Sequence, residues 1–317
     1  MDEFPENVVG IDVSKDKLDL HFLPKAKNSQ VNNSSPGIKK LITRLPAAGE
    51  VFIILEATGG YENRVVEELL LVGHMVARVN PRQVRDFAKA TGMLAKTDSI
   101  DAKVIAEFGS MLKPRTLEPV TEEELQLQEL ITRRKQLIDL RIAENNRLEQ
   151  ARTTLSKDSI ANIVNVLSEQ IDALSNEISK RINENDDWND KVTILSSVPG
   201  VGELTAATLI AELPELGELN RAEIASLAGL APFNNDSGRK KGKRSIRGGR
   251  SNVRAVLYMA TVTAVRWNPT LREFSKRLES SGKPFKKRIT ACMRKLLVML
   301  NTMMKENELW EDRLKTF

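Results

Sequence analysis

The sequence predicts an α/β domain followed by an all-α remainder, and three features carry that expectation. Residues 8–117 alternate short β-rich runs with helix-like stretches. Residues 120–190 contain no glycine or proline, and apolar residues recur there at coiled-coil spacing. Residues 191–317 are again helix-like, interrupted by a proline–glycine turn and a glycine-rich basic stretch. A chain of 317 residues has room for two or three domains, and the boundaries read as 1–117, 118–190 and 191–317.

In the first segment, VVGIDVS and KLDLHFL are strand-like runs separated by Lys15 and Asp16, the pattern of a hairpin. A third short strand is expected near Ser29–Asn33. Pro36 and Gly37 open a helix through IKKLITRL. VFIILEAT is a continuous apolar run of strand length, as a central strand buried on both faces requires. Helix YENRVVEELLLVGH, strand MVARVN and helix PRQVRDFAKA follow, the last with Pro81 in its first turn. The order β-β-β-α-β-α-β-α is that of a ribonuclease-H-like sheet.

In the middle segment, Ile160, Val164, Leu167, Ile171, Leu174 and Ile178 step by four and three alternately. An earlier helix over about 121–155 carries a weaker stripe through Leu130, Leu137 and Leu148. Ser156–Ser159 is the expected turn between the two. The seam suits either an intrachain helical hairpin or a subunit contact. In the third segment, Pro199-Gly200-Val201-Gly202 joins two helical stretches, and two or three amphipathic helices follow the basic loop.

Composition narrows the function. The net charge of +5 conceals an asymmetry: residues 118–190 sum to −7 and residues 191–317 to +11. A basic C-terminal third points to nucleic acid, the alternative being a solvated lysine-rich surface. Aromatics make up 4% of the chain, too few for base stacking as the main binding mode. The lone Cys292 forms no intramolecular disulfide and, with only two histidines, leaves little for a zinc site; its apolar neighbours mark it as core. The acidic start MDEFPENVV is unlike a signal peptide, and no apolar run reaches membrane-spanning length. The expectation is a cytoplasmic protein with no membrane association.

Four acids stand out. Asp12 lies inside the first strand, and an acid among apolar strand neighbours is costly to bury without a partner or a metal. Glu56 sits at the C-terminal end of the buried strand, where open α/β sheets place their sites. Asp98 and Asp101 are three apart in TDSIDAKVIAEF and share a side if that segment is helical with Thr97 as its cap. First-turn helix stabilisation explains the last two equally well in isolation. Two strand carboxylates plus a helical pair can hold two hard cations such as Mg2+ about a phosphate undergoing in-line displacement.

The C-terminal segment offers a second constellation. Arg239, Lys240, Lys241, Lys243, Arg244, Arg247, Arg250 and Arg254 are eight cations with no intervening acid, suited to backbone phosphates. Gly238, Gly242, Gly248 and Gly249 would let the backbone approach a ligand. Ser237 heads this turn-rich stretch, and taken alone reads as a turn serine. The Pro199–Gly202 turn has the look of a helix-hairpin-helix, in which Gly200 and Gly202 would present amides to a DNA phosphate; a plain tight turn is the other reading.

GIDVSKDKLDL, LEATGGYE, NPRQVRDFAKATG and KTDSIDAKVIAEF resemble the DEDD-type bacterial insertion-sequence transposases, whose N-terminal domain is RuvC-like. SSVPGVGELTAATLIAELPELGEL and SLAGLAPFNNDSGRKKGKRSIRGGRSNVRAVLYMATVTAVRWNP resemble that family's second, Transposase-20-like domain. The resemblance spans both ends and leaves the middle helices unassigned. It implies a recombinase guided by a structured bridge RNA, with Asp12, Glu56, Asp98 and Asp101 binding metal and Ser237 forming a phosphoserine link to the DNA 5′ end. The middle seam suits a homo-oligomer, a dimer or tetramer, and the distance along the chain from the acids to Ser237 allows a composite site with acids from one subunit and the serine from another. Three other readings compete. A RuvC-like nuclease would use the acids with water and give Ser237 no role. An actin-like sugar kinase shares the GIDVSK opening but needs a later phosphate loop that the helical second half lacks. A non-catalytic nucleic-acid-binding protein leaves the four acids unexplained.

Overall fold

The structure is a computed structural model. It describes residues 4–93, 98–233 and 244–310, with the backbone alone at Asp98 and Ser99. The chain forms two compact units, residues 1–121 and 122–317.

The first unit is built on a five-stranded mixed sheet. Strands β1 (Asn7–Val13), β2 (Lys17–Leu23) and β3 (Lys27–Asn32) form an antiparallel meander. Helix α1 (Ser35–Ile42) leads to β4 (Val51–Glu56), α2 (Asn63–Leu71), β5 (Met75–Val79), α3 (Pro81–Ala90) and α4 (Asp98–Leu112). The strand order is β3-β2-β1-β4-β5, with β4 parallel to both β1 and β5. This mixed sheet with its helices is compatible with the expected ribonuclease-H-like domain. Local sequence sets the helix starts: Ser34 Oγ accepts from the Gly37 amide, and Asn80 Oδ1 accepts from the Arg82 amide ahead of Pro81.

Each face of the sheet has its own core. Val9, Ile11, Val13, Ile53 and Leu55 pack with Ile38 and Leu41 of α1 and Val65 and Leu69 of α2. Val8, Phe52, Ile54 and Ala77 pack with Val84 of α3 and Val104, Ile105 and Phe108 of α4. The first five residues of β4 are buried, which is why that strand reads as an unbroken apolar run.

In the second unit, α5 (Glu122–Gln150) and α6 (Thr154–Asn183) form a long hairpin. The turn lies at residues 151–153, ahead of the expected Ser156–Ser159. Thr153 caps α6 by accepting from the Ser156 amide, so those serines fall within the helix. Ile171 and Ile178 of the apolar seam are buried, and Arg134 of α5 donates to Ser175 of α6 at 2.7 Å. Leu127, Ile131, Ile178 and Ile182 belong to the same core as the helices that follow.

Those helices are α7 (Asp186–Ser196), α8 (Glu203–Glu212), α9 (Arg221–Leu227), α10 (Ser251–Trp267), α11 (Pro269–Ser280) and α12 (Phe285–Glu306). A short ribbon of β6 (Pro232–Phe233) and β7 (Ser245–Ile246) interrupts them between α9 and α10. Cys292 is fully buried in their core, and burial pushes its thiol pKa up. No helix among the described residues is long and apolar enough to cross a membrane.

Candidate active site

Parallel pairing of β1 with β4 brings the first two acids together. Asp12 and Glu56 lie one step beyond the Ile11–Leu55 register pair, on neighbouring strands about 4.8 Å apart. Asp12 shares its strand face with Val8 and Gly10, and Glu56 with Phe52 and Ile54, so both project to the face that α4 covers. Both are half-buried.

Helix α4 supplies the other two. Ala102 and Ala106 of α4 rest on Gly10: a Cβ there would stand 2.3 Å from the Ala102 carbonyl oxygen and 2.4 Å from the Ala106 nitrogen. That backbone contact seats α4, at Ala102 and Ala106 just past its first turn, over the strand that carries Asp12, two residues on. Asp98 is the first residue of α4, and Asp101, half-buried, lies on its first turn. The Asp98 side chain and the expected cap Thr97 lie outside the described residues.

Carboxylate oxygens are the donors that hard cations prefer. Among the described residues, no three His, Cys, Asp or Glu side chains are grouped closely enough to hold a metal ion. Asp12, Glu56 and Asp101 therefore do not form such a group by themselves.

Three polar residues at this strand end were not anticipated from the sequence. Asp19 of β2 is the register partner of Asp12 and accepts from Gln30 Nε2 at 2.7 Å. Glu62 is 4% exposed, and its Oε2 accepts from the Thr58 amide at 3.0 Å and the Gly60 amide at 2.9 Å. Arg78 stands 3.7 Å from its other oxygen. Asn33 Nδ2 donates to the Ser14 carbonyl at 2.9 Å and the Tyr61 carbonyl at 3.1 Å. Together Glu62 and Asn33 fix the two turns that follow Asp12 and Glu56. An acid two residues after the Gly59-Gly60 pair was the available signal for Glu62: glycines at φ 64° and 100° leave amides that need acceptors.

In the second unit, Ser237 and the cations Arg239, Lys240, Lys241 and Lys243 lie outside the described residues. They fall within the segment joining β6 to β7. Of the remaining cations, Arg244 and Arg247 are exposed, and the Arg247 guanidinium lies 4.8 Å from the centre of the Phe233 ring. Arg250 is engaged internally: it grips Glu215 through two nitrogens at 2.5 and 2.7 Å and donates to the Glu212 carbonyl at 3.0 Å. Arg254 donates to the carbonyls of Ala228 and Gly248. Gly249 also meets protein, since a Cβ there would stand 2.2 Å from the Gly229 nitrogen. Its lack of a side chain is required by the α9–α10 junction, so a ligand is not needed to explain it.

The Pro199–Gly202 turn joins α7 to α8, as the sequence indicated. Gly200 has φ 99°, and a Cβ would come within 2.5 Å of the Ala264 backbone in α10, so this glycine serves packing. Gly202 is exposed at the N-cap of α8, where a Cβ would meet nothing within 4 Å. Exposed Glu203 follows it and places a negative charge at that helix start.

Comparison with known proteins bears on both units. Residues 9–156 match a transposase family model of the DEDD, IS110 type, and residues 192–276 match the transposase family IS116/IS110/IS902. The chain is 29% identical to the pilin gene-inverting protein of Moraxella bovis, over 96% of this chain and 98% of that one. It is 22% identical to the transposase for insertion sequence element IS1111A of Coxiella burnetii, over 60% of this chain and 58% of that one. Two matches in the family's order, and a relative aligned almost end to end, place the chain in the IS116/IS110/IS902 family of transposases.

Proposed function

We propose that this transposase is a metal-dependent DNA recombinase that exchanges strands through a 5′-phosphoserine intermediate. Asp12, Glu56, Asp98 and Asp101 form its carboxylate site and Ser237 is its nucleophile. The observation that carries the reading is the register of Asp12 beside Glu56, with α4 seated on the same strand by Ala102 and Ala106 against Gly10. A divalent cation, Mg2+ in this reading, would supply charge neutralisation at the phosphate when held there. We further propose a ribonuclease-H-like fold for residues 1–117, a coiled-coil hairpin over 118–190 and a helix-hairpin-helix-like, serine-bearing domain over 191–317.

In this scheme Ser237 Oγ attacks the scissile phosphorus, its O–P bond forms, and the bond from phosphorus to the 3′ oxygen breaks. The serine proton passes to a carboxylate, and the 3′ oxygen leaves as a hydroxyl after protonation. A 3′ hydroxyl from the exchanging strand then attacks the phosphoserine, restoring a phosphodiester and returning the proton to Ser237. Attack by water would instead leave ends that need religation. Inversion, named for the Moraxella relative, requires that rejoining.

DNA is the partner that family membership implies. A structured bridge RNA as the guide is part of the proposal, since base pairing would take sequence choice away from the protein. So are a cytoplasmic location and a homo-oligomer. The exposed Ile142, Leu155, Ile163 and Val166 on the α5–α6 hairpin support a subunit contact on the outer faces, away from the buried seam.

The test is incubation with element DNA, the cognate RNA and Mg2+, followed by denaturing separation of covalent protein–DNA adducts. Wild type should give an adduct and recombinant product. Ser237→Ala should bind DNA and give neither, and Asp12→Ala should give neither while still folding. Cleavage without adduct by Ser237→Ala would instead identify a water-using nuclease. Full activity of Asp12→Ala would remove the carboxylate assignment, and the absence of any cleavage by wild type would favour a binding protein.

A further inference from the structure

The β1–β2 turn, the lead into α1 and the β4–α2 turn meet at the strand end that carries Asp12 and Glu56. They enclose an open concavity of about 220 Å3 lined by Lys15, Asn33, Gly60, Tyr61 and Arg64. Its backbone is fixed. Asn33 clamps the Ser14 and Tyr61 carbonyls, its own amide donates to the Asp16 carbonyl at 2.9 Å, and Glu62 holds the Thr58 and Gly60 amides. The side chains that face outward are not fixed in this way. Lys15, Tyr61 and Arg64 are exposed, and neither cation forms an ion pair with a described carboxylate. No acid lines the concavity; the nearest in sequence are Asp16, exposed in the same turn, and Glu62, buried on the Thr58 and Gly60 amides.

Two cations beside a rigid hollow fit a phosphodiester. Position adds direction. Lys15 follows Asp12 by three residues and Gly60 follows Glu56 by four. Asn33 and Arg64 belong to the layer of α1 and α2, whereas Asp12 and Glu56 face α4. A strand touching both must pass over the edge of the sheet. Duplex DNA, with a persistence length of about 150 base pairs, resists so tight a path, and a single strand does not. Exposed Tyr61 offers an unpaired base a surface to stack on.

We propose that this concavity is a subsite for the single DNA strand that enters the carboxylate site, with Lys15 and Arg64 on a phosphate and Tyr61 stacked on the adjacent base. The inference rests on the proposed carboxylate site, so its test avoids catalysis. Fluorescein-labelled single-stranded DNA from an element end is titrated against the full chain without metal, and affinity is read by anisotropy across a salt series. Lys15→Gln/Arg64→Gln should lose about tenfold or more in affinity and flatten the log–log salt slope by about 0.7, the share of one phosphate. Tyr61→Ala should lose about tenfold and Tyr61→Phe little. Lys39→Gln/Lys40→Gln, which removes two exposed charges from the far end of α1, should change affinity by less than about twofold. A strand carrying 5-bromodeoxyuridine should crosslink on irradiation to the peptide holding Tyr61. Unchanged affinity in the Lys15/Arg64 variant, an equal loss in the Lys39/Lys40 variant, a crosslink mapped elsewhere, or tighter binding of the matching RNA would each overturn the subsite. Circular dichroism of each variant separates these results from misfolding. If Asp12→Ala retained cleavage while Lys15→Gln/Arg64→Gln lost binding, the carboxylate reading would fail and the subsite would stand.

Discussion

Replacing Gly10 with alanine tests whether the seating of α4 sets the candidate site. A Cβ at position 10 would lie 2.3 Å from the Ala102 carbonyl oxygen and 2.4 Å from the Ala106 nitrogen, both of them backbone atoms of α4. An ordinary carbon contact needs about 3.4 Å, so the helix must retreat by about 1 Å. No rotamer change can relieve the clash, because neither atom belongs to a side chain. Overpacking of this kind costs about 1–3 kcal/mol, which a unit with two cores should survive. The same displacement carries Asp98 and Asp101 away from Asp12 and Glu56, and a misplacement of about 1 Å costs a reaction of about 100-fold. Gly10→Ala should therefore remain folded, with a melting temperature lowered by several degrees, and lose about two orders of magnitude in strand cleavage. Thermal melting and single-turnover cleavage with Mg2+ measure the two effects. Cleavage within about threefold of wild type in a folded Gly10→Ala protein would refute the reasoning, since the helix would then not fix the acids.

Three further outcomes follow from the same kind of geometry. Arg250→Ala leaves the Glu215 carboxylate, 14% exposed, without its two-point partner, and should lower stability by about 1–3 kcal/mol; chemical denaturation reads the cost, and Arg250→Lys should rescue only part of it. Burial holds the His74 pKa below its ordinary value of 6.5, so below that pH the unfolded chain takes up a proton that the folded chain refuses. Stability should fall from about pH 6.5 until the lowered folded pKa is reached, by at most about 1.4 kcal/mol per pH unit, and a His74→Leu protein with the same slope would show that His74 is not responsible. Ile163→Glu/Val166→Glu, at exposed hairpin positions, should lower the solution mass without unfolding the chain, whereas an unchanged mass would place any subunit contact elsewhere.

What the sequence could reveal followed what local chemistry determines. Strand and helix types in the first unit were legible because VFIILE, Asn80-Pro81 and the Pro36-Gly37 opening each carry a local signal. The four acids were legible as residues on particular elements, but the placing of Glu56 beside Asp12 was not. That depends on β4 pairing parallel to β1 in the register that sets Glu56 beside Asp12, a long-range choice that neither strand encodes alone. The turn in the long hairpin was missed because threonine and serine both favour caps, and Thr153 competes with Ser156 for that position. The charge run 239–254 read as one surface because counting cations ignores partners; Arg250 and Arg254 turn out to hold their own chain. Gly249 was misread for a similar reason, since a glycine that admits a ligand and one that admits a neighbouring backbone look alike in sequence.

Asp12 and Glu56 are held in adjacent register by the fold around them. Two acids in adjacent register on parallel strands cannot separate without breaking the ladder between β1 and β4, whose buried residues include Val9, Ile11, Ile53 and Leu55. The turns that follow them cannot spring open without unmaking the Asn33 clamp and exposing Glu62. Helix α4 cannot draw nearer to them, because its backbone already touches Gly10, and moving away would uncover Ile105 and Phe108. Their placement thus rests on hydrophobic burial and backbone hydrogen bonds. Preorganisation of this kind would let the proposed carboxylate set act on a phosphate without first reorganising. It carries a physical consequence: if a cation binds there, it should raise the stability of the first unit. The amount should follow the ratio of its concentration to its dissociation constant, and Asp12→Ala should abolish that gain.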